Sequence, residues 1–245
     1  MKKHRDEQKC FIAEGPKVVA DLLPLLSCQT LYATAGFIGD LKKKNLLHRA
    51  AQVTEVTQSE LERLSLLKAP REALAVFRYI SEEPDSGTLA ALPSRSLCIA
   101  LDSVQDPGNL GTILRIADWF GIEHVFASRE TVDVYSPKVV QATMGAIGRV
   151  HIHYTDLKDF ISHLPADTPV WGTFLDGTNI YQEELQNRGL IIMGNEGNGI
   201  SADVAKLVNK RLLIPNYPVG RETSESLNVA VATAIVCAEF RRYNF

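Results

Sequence analysis

Two rhythms of apolar and polar positions run along this chain of 245 residues. Short apolar runs recur at 11–15, 31–34, 52–56, 73–79, 97–101, 124–127, 150–154, 169–174, 190–193 and 211–214, and each predicts a strand. Between them lie segments whose apolar residues repeat every three or four positions, as on one face of a helix. Pro16 suits a first helical turn, Val18, Val19, Leu22 and Leu23 form the apolar face, and Pro24 stops it. Further helices are predicted over 40–50 and 59–67, and one carries Ile113, Leu114, Ile116, Ala117 and Phe120 inward before Gly121. Ser136-Pro137 reads as a cap and first turn, and 157–164, 202–208 and about 225–242 complete the set. Strand and helix alternate throughout, so an α/β fold with a mainly parallel sheet is expected.

The pattern weakens once. Residues 81–96 hold Ser-Glu-Glu-Pro-Asp-Ser-Gly and then Leu-Pro-Ser-Arg-Ser, a composition that predicts a linker. The chain is accordingly divided into a small α/β domain over 1–80, a linker over 81–96 and a larger domain over 97–245. No internal repeat is visible.

Composition adds limits. With 45% hydrophobic and 22% charged residues the chain reads as an ordinary soluble globular protein. Its longest apolar run, 229–238, is too short to cross a bilayer, which takes about 20 residues. A basic N-terminus without a following apolar stretch argues against a signal peptide. Cys10, Cys28, Cys98 and Cys237 are scattered, which predicts free thiols in a reducing cytoplasm. His151 and His153 share a strand face but have no further ligand at metal-site spacing, so no metal is expected. Trp119 and Trp171 are read as core or interface residues.

Net charge is −3, yet it is unevenly spread. Residues 1–80 hold 13 Lys and Arg against 9 Asp and Glu, or +4, and the remainder is −7. That asymmetry points to a polyanion met by the first domain. Lys2, Lys3 and Arg5, in a basic arm with His4 and Lys9, and Lys42, Lys43, Lys44 and Arg49, beside His48, are the candidate RNA-binding residues.

Candidate chemistry gathers in the stretch 190–201, LIIMGNEGNGIS. An apolar strand runs into Gly194, Gly197 and Gly199, which permit a sharp turn and a close ligand approach. Similar loops follow the strands at 97–101 and 211–214. In a parallel sheet, loops at the carboxyl ends of strands share one edge and one pocket. The glycine order matches neither the dinucleotide fingerprint nor the P-loop, which argues against NAD and nucleoside triphosphates.

Together the three loops resemble a known family. DSVQDPGNLGTILRIADWFGI (102–122), IIMGNEGNGIS (191–201) and LLIPNYPVGRETSESLNVAVATAI (212–235) look like the ordered motifs of the SpoU, or TrmH-type, branch of the SPOUT RNA methyltransferases. Residues 4–20 are similar to the substrate-binding domain that many members carry, itself like kink-turn-binding ribosomal proteins. The resemblance implies methyl transfer from S-adenosylmethionine to a ribose 2′-hydroxyl of RNA, with ribosomal RNA favoured over transfer RNA. It also implies a C-terminal trefoil knot and a homodimer whose active site uses both chains. An assembly protein that kept the fold without catalysis is the alternative; intact Asn109, Arg115, Glu196 and Asn228 argue against it.

By position, the resemblance implies that Thr173, Met193, Gly194, Asn195, Gly199, Ile214, Pro215 and Leu227 hold the cofactor. Asn109, Arg115, Glu196, Ser226 and Asn228 fall at the reaction centre, with Asn109 and Asn228 as orienting groups. Arg115 is read as an electrostatic stabiliser, because a guanidinium is almost never neutral in a protein. Residues 216–225 make a longer loop than the family pattern, which leaves the serine role open between Ser224 and Ser226.

Overall fold

The computed structural model describes residues 2–80, 84–218, 221–222, 224 and 226–242. Within it the chain divides into two compact units, Met1–Glu82 with Asp133–Arg149, and Glu83–Val132 with Val150–Phe245. Residues 133–149, which the sequence division places in the second domain, thus group with the first unit by contact.

The first unit contains α1 (Lys2–Gln8), β1 (Cys10–Glu14), α2 (Pro16–Leu22), β2 (Cys28–Ala33), α3 (Ala35–Lys43), β3 (Ala50–Glu55), α4 (Gln58–Leu64), β4 (Ala73–Arg78) and α7 (Pro137–Thr143). Its sheet runs β1-β4-β2-β3. Only the β2–β3 pairing is parallel; β4 is antiparallel to both its neighbours. The helix expected over 40–50 lies earlier, because Phe37, Ile38 and Leu41 supply the buried stripe. Asn45, in the left-handed region at φ 55°, ends it. There the Leu46 N–H donates to the Leu41 carbonyl at 2.9 Å and the Asn45 N–H to Lys42 at 3.0 Å, a Schellman stop. What brings 133–149 to this unit is aromatic and ionic. Tyr135 stacks on Tyr79 at 3.9 Å, and Arg5 donates to Asp133 at 2.6 Å.

In the second unit stand α5 (Ser86–Arg95), β5 (Leu97–Leu101), α6 (Pro107–Trp119), β6 (His124–Ser128), β7 (His151–Thr155), α8 (Leu157–Ser162), β8 (Val170–Asn179), β9 (Gly189–Met193), α9 (Ala202–Ala205), β10 (Lys210–Leu213) and α10 (Val229–Arg241). The six strands pair in the order β10-β8-β9-β5-β6-β7, every pairing parallel. Every residue of β5 and β9 is buried, as apolar runs at the middle of a parallel sheet require. The stretch expected as linker holds α5, whose Leu89 and Leu92 pack on a core containing Ala100, Phe126 and Ile192. Asp85 caps it, accepting from the Thr88 N–H at 3.0 Å. No helix among the described residues is long and apolar enough to cross a membrane.

β8 extends further than expected, through 175–179, by breaking its ladder. Trp171 and Gly172 pair with Lys210 and Arg211, and the next pairs are Thr178 with Leu212 and Asn179 with Leu213. Residues 173–177 leave the ladder in between. Trp171 is 1% exposed and packs edge-on to Phe240, as expected of a core residue; Trp119, at 84% exposed, is no part of the core. Glu225, near which the last helix is expected to start, lies outside the described residues; α10 starts at Val229, with Asn228 as its cap.

At the opposite edge of the sheet, His124 and His153 meet nitrogen to nitrogen at 3.1 Å, with His151 stacked on His124 at 5.5 Å. Burial first, and then the facing His124 and His151, push His153 down to about 4; Glu123 opposes the same trend at His124. The folded chain thus keeps His153 neutral where the unfolded chain protonates near its ordinary value of 6.5. Unfolding then takes up a proton, so stability should fall as pH drops from 6.5 towards 4. At about 1.4 kcal/mol per pH unit the loss amounts to about 3 kcal/mol. Urea unfolding at stepped pH measures it, and His153→Phe should flatten the profile across that window.

Candidate functional site

Three loops meet beyond the carboxyl ends of β5, β9 and β10, and each is shaped by its own sequence. After β5, Asp106 caps α6 by accepting from the Asn109 N–H at 2.8 Å, with Pro107 in the first turn. After β9, Asn195 and Gly199 exchange backbone hydrogen bonds at 2.9 Å and close a tight loop. A Cβ on Gly194 would overlap the backbone of Gly199 and Ile200, so only glycine fits the root of this loop. Asp102, 4% exposed, accepts from the Ser201 N–H at 2.7 Å and ties the far side of the β9 loop to β5.

A chain of amide hydrogen bonds joins the loops. The Glu196 carboxylate accepts from Asn109 Nδ2 at 3.0 Å and from the N–H groups of Asp106 and Gln105 at 3.3 and 3.4 Å. Asn109 Oδ1 in turn accepts from Asn228 Nδ2 at 2.9 Å. Asn228 Oδ1 accepts from the Ala230 and Val231 N–H groups at 2.9 and 3.2 Å, capping α10. The direction of the chain has no freedom. Glu196 only accepts and the helix end only donates, so both asparagine amides are oriented from the two ends. Desolvation pushes the Glu196 carboxyl up, but the bonds from Asn109 and the backbone outweigh it and hold it below its ordinary value.

Against these loops lies a cavity of about 470 Å³. Thr173, Met193, Gly194, Asn195, Gly199, Ile214 and Leu227, all expected at the cofactor, line it, as do Glu196 and Ser226 from the expected reaction centre. Pro215 is not among the lining residues. Phe174, Leu175, Leu212, Leu213, Val229 and Ala232 are, and they were not expected, because they come from the β8 excursion and the sides of β10 and α10. The Asn195 side chain serves the loop itself, donating to Ser103 O at 2.7 Å and accepting from Gly197 N–H at 2.9 Å. No lysine or arginine lines the cavity among the described residues, and its walls are mainly apolar. Such a pocket suits a small ligand with an apolar ring and a positive centre, and offers nothing to a polyphosphate.

Arg115 is not brought into the hydrogen-bonded chain. It is exposed on α6 and makes no polar contact with Asn109. Six residues along a helix displace it by about 9 Å and turn it by about 120° from Asn109. Of the 216–225 loop, 219, 220, 223 and 225 lie outside the described residues.

The basic residues of the first unit divide into two groups. Arg5, expected at the RNA, has a side chain only 16% exposed and pairs with Asp133 at 2.6 Å. The arm is helix α1, in which Lys2 lies 3.7 Å from Asp133 and Lys3 lies 4.0 Å from Glu7. Lys43 is 3.2 Å from Asp40, while Lys42, Lys44 and Arg49 are exposed with no ion pair among the described residues. No cluster of three or more His, Cys, Asp or Glu among the described residues has metal-site geometry.

The amide chain makes a direct forecast. Glu196→Gln places an NH₂ group against N–H donors, so one donor of the set loses its acceptor. A cost of about 1–3 kcal/mol in unfolding free energy is expected. Denaturation by urea checks it, and an unchanged midpoint would mean that the carboxylate is not what holds the loops.

Comparison with known proteins agrees with this geometry. Residues 96–238 match the SpoU rRNA Methylase family, and residues 1–75 match the MRM3-like substrate binding domain. The 23S rRNA (guanosine(2553)-2′-O)-methyltransferase RlmP of Bacillus subtilis is 27% identical over 98% of this chain and 92% of its own. A structure from Porphyromonas gingivalis, assigned to the TrmH family of RNA methyltransferases, superposes with a TM-score of 0.86 at 40% identity, over 99% of this chain and 93% of its own. The AdoMet-bound rRNA methyltransferase of Sinorhizobium meliloti gives a TM-score of 0.85 at 30% identity, over all of this chain and 92% of its own. The family match spans more than half of the chain and takes in the loops after β5, β9 and β10, so this protein belongs to the SpoU rRNA methylase family.

Proposed function

We propose that this protein transfers a methyl group from S-adenosylmethionine to a ribose 2′-hydroxyl of ribosomal RNA. The observation that carries the reading is the amide chain Glu196–Asn109–Asn228 at the edge of an apolar cavity without basic side chains. The cavity residues fit the cofactor: Gly194 lets the loop backbone close tightly, Ile214 and Leu227 offer apolar walls, and Glu196 is the one charged side chain among the described lining residues, which suits a positive sulfonium. Bound there, S-adenosylmethionine supplies an electrophilic methyl group.

The protein's own residues then have two tasks, alignment and charge stabilisation. Asn109 and Asn228 are held with fixed donor and acceptor ends, which suits them to orient the ribose. Arg115 serves as stabiliser of the negative charge that grows on the ribose oxygen, and the proton leaves to phosphate or water. Because Arg115 stands outside the amide chain, it acts once RNA or a second chain is present.

A homodimer belongs to this reading. α6 and α10 pack on each other, and Trp119 of α6, Val231 of α10 and Leu227 just before α10 leave 84%, 51% and 49% of their surfaces exposed. An apolar face of that kind on a small domain needs cover, and a second copy supplies it. Arg115 lies one turn before Trp119 on α6, so the dimer sets it beside the active site. The C-terminal trefoil knot is part of the same proposal, supported by the return of α10 to α6, where Arg241 donates to the Phe120 carbonyl at 2.9 Å. RNA binding falls to the first unit, with Lys42, Lys44 and Arg49 as phosphate contacts, and the protein works in the cytoplasm.

Arg115→Ala should leave S-adenosylmethionine affinity unchanged and slow single-turnover methyl transfer by about 100-fold or more. Arg115→Lys should recover only part of the rate, since it lacks the planar fork. A variant that lost cofactor affinity but kept its rate would reverse the assignment. Gly194→Val should abolish cofactor binding in a folded protein, read by calorimetric titration. Val231→Glu should give monomers by light scattering and remove transfer activity.

A further inference from the structure

We infer that Arg211 is a positioning residue for the cofactor pocket, locking the excursion of β8 that forms one of its walls. The inference rests on the reading of the cavity as the S-adenosylmethionine site. Residues 173–177 have left the β10 ladder, so the backbone pairing that holds the rest of β8 does not hold them there. Yet Thr173, Phe174 and Leu175 from this stretch line the cavity, and Leu175 is 77% exposed. Some other interaction must select one conformation for the wall.

Arg211 provides it from the last residue of β10 before the register jumps. Its guanidinium carbon lies 3.5 Å from the centre of the Phe174 ring, within stacking distance. The same guanidinium donates through Nη2 to Asp176 Oδ1 at 2.5 Å. One planar group thus grips two residues that flank Leu175, one by its face and one by its edge. The chain is brought back at Gly177, where a Cβ would lie 2.5–2.8 Å from backbone atoms of Leu212. Glycine permits that approach, so the excursion closes directly onto β10. Asp176 answers in kind: the Arg211 hydrogen bond holds its carboxyl below the ordinary value.

An exposed ion pair alone adds little stability. Its effect here is conformational, since Arg211 and Asp176 do not themselves line the cavity. The expected signature is a change in cofactor affinity without a matching change in fold stability. Lysine keeps the charge for Asp176 but loses the plane over Phe174, so it should be intermediate.

The test is calorimetric titration of the full-length protein with S-adenosylmethionine, beside thermal unfolding of each variant. Arg211→Ala should weaken binding about 10-fold, and Arg211→Lys and Asp176→Asn about 3-fold, with similar unfolding midpoints. Arg188→Ala is the control. It breaks another arginine–aspartate pair of the same unit, Arg188–Asp167 at 3.2 Å, away from the cavity, and should bind as the wild type does. Binding by Arg211→Ala within twofold of wild type overturns the inference alone, as does equal weakening by Arg188→Ala. Should Arg211→Ala fail to fold, wild-type affinity in both Arg211→Lys and Asp176→Asn overturns it as well. Wild-type protein that takes up no S-adenosylmethionine overturns the cofactor reading itself, and this inference with it.

Discussion

The Glu196 carboxylate is where the three functional loops are tied together. It receives two backbone N–H groups from the loop after β5 and the Asn109 side chain, and Asn109 receives the Asn228 amide from the cap of α10. Remove the acceptor and those donors turn to solvent, so the loops lose the group that holds them in common. The loop that carries Glu196 depends in turn on Gly194, whose missing Cβ lets residues 194 and 199 approach. A pocket and a polar cluster are thus one construction: the turn that opens the cavity also delivers the carboxylate that orients the asparagines.

That construction accounts for the division of labour in the second unit. β5 and β9 are buried along their whole length and act as a fixed floor. Specific chemistry is confined to the ends of strands, where backbone N–H groups are free to bind side chains. The wall contributed by β8 is different in kind. Its outer contact is a guanidinium stacked on Phe174 at the surface, so it is the part of the pocket most open to change by substitution.

The first unit shows the same economy of charge with another outcome. Of its basic residues, Arg5 is taken up by Asp133 and the Tyr79–Tyr135 stack stands beside it, so the segment 133–149 is anchored there. The cations at the end of α3 are left exposed by a Schellman stop that ends the helix among them. Charge counts along the chain cannot separate those two fates, because they depend on whether an acidic residue distant in sequence lies opposite.

Read alone, the sequence determined whatever local pattern controls. Apolar runs located each of the ten strands among the described residues, though β8 runs on to Asn179, since a run of strand-forming residues reports local backbone preference. Asp106-Pro107 and Ser136-Pro137 marked helix starts because caps are satisfied within one turn. The three loop motifs named Asn109, Glu196 and Asn228 together, and the fold brings those residues into one chain. Only the tertiary structure decided the rest: that 133–149 packs with the first unit, that α5 forms in a stretch with linker composition, that Arg5 pairs with Asp133, and that Arg115 stands outside the amide chain. It also decided that β8 breaks its ladder to build a wall. Each of these turns on contacts between residues far apart in sequence, and such contacts leave no periodic trace in the chain, because a side chain's spacing reports the face it occupies and not the partner it will meet there.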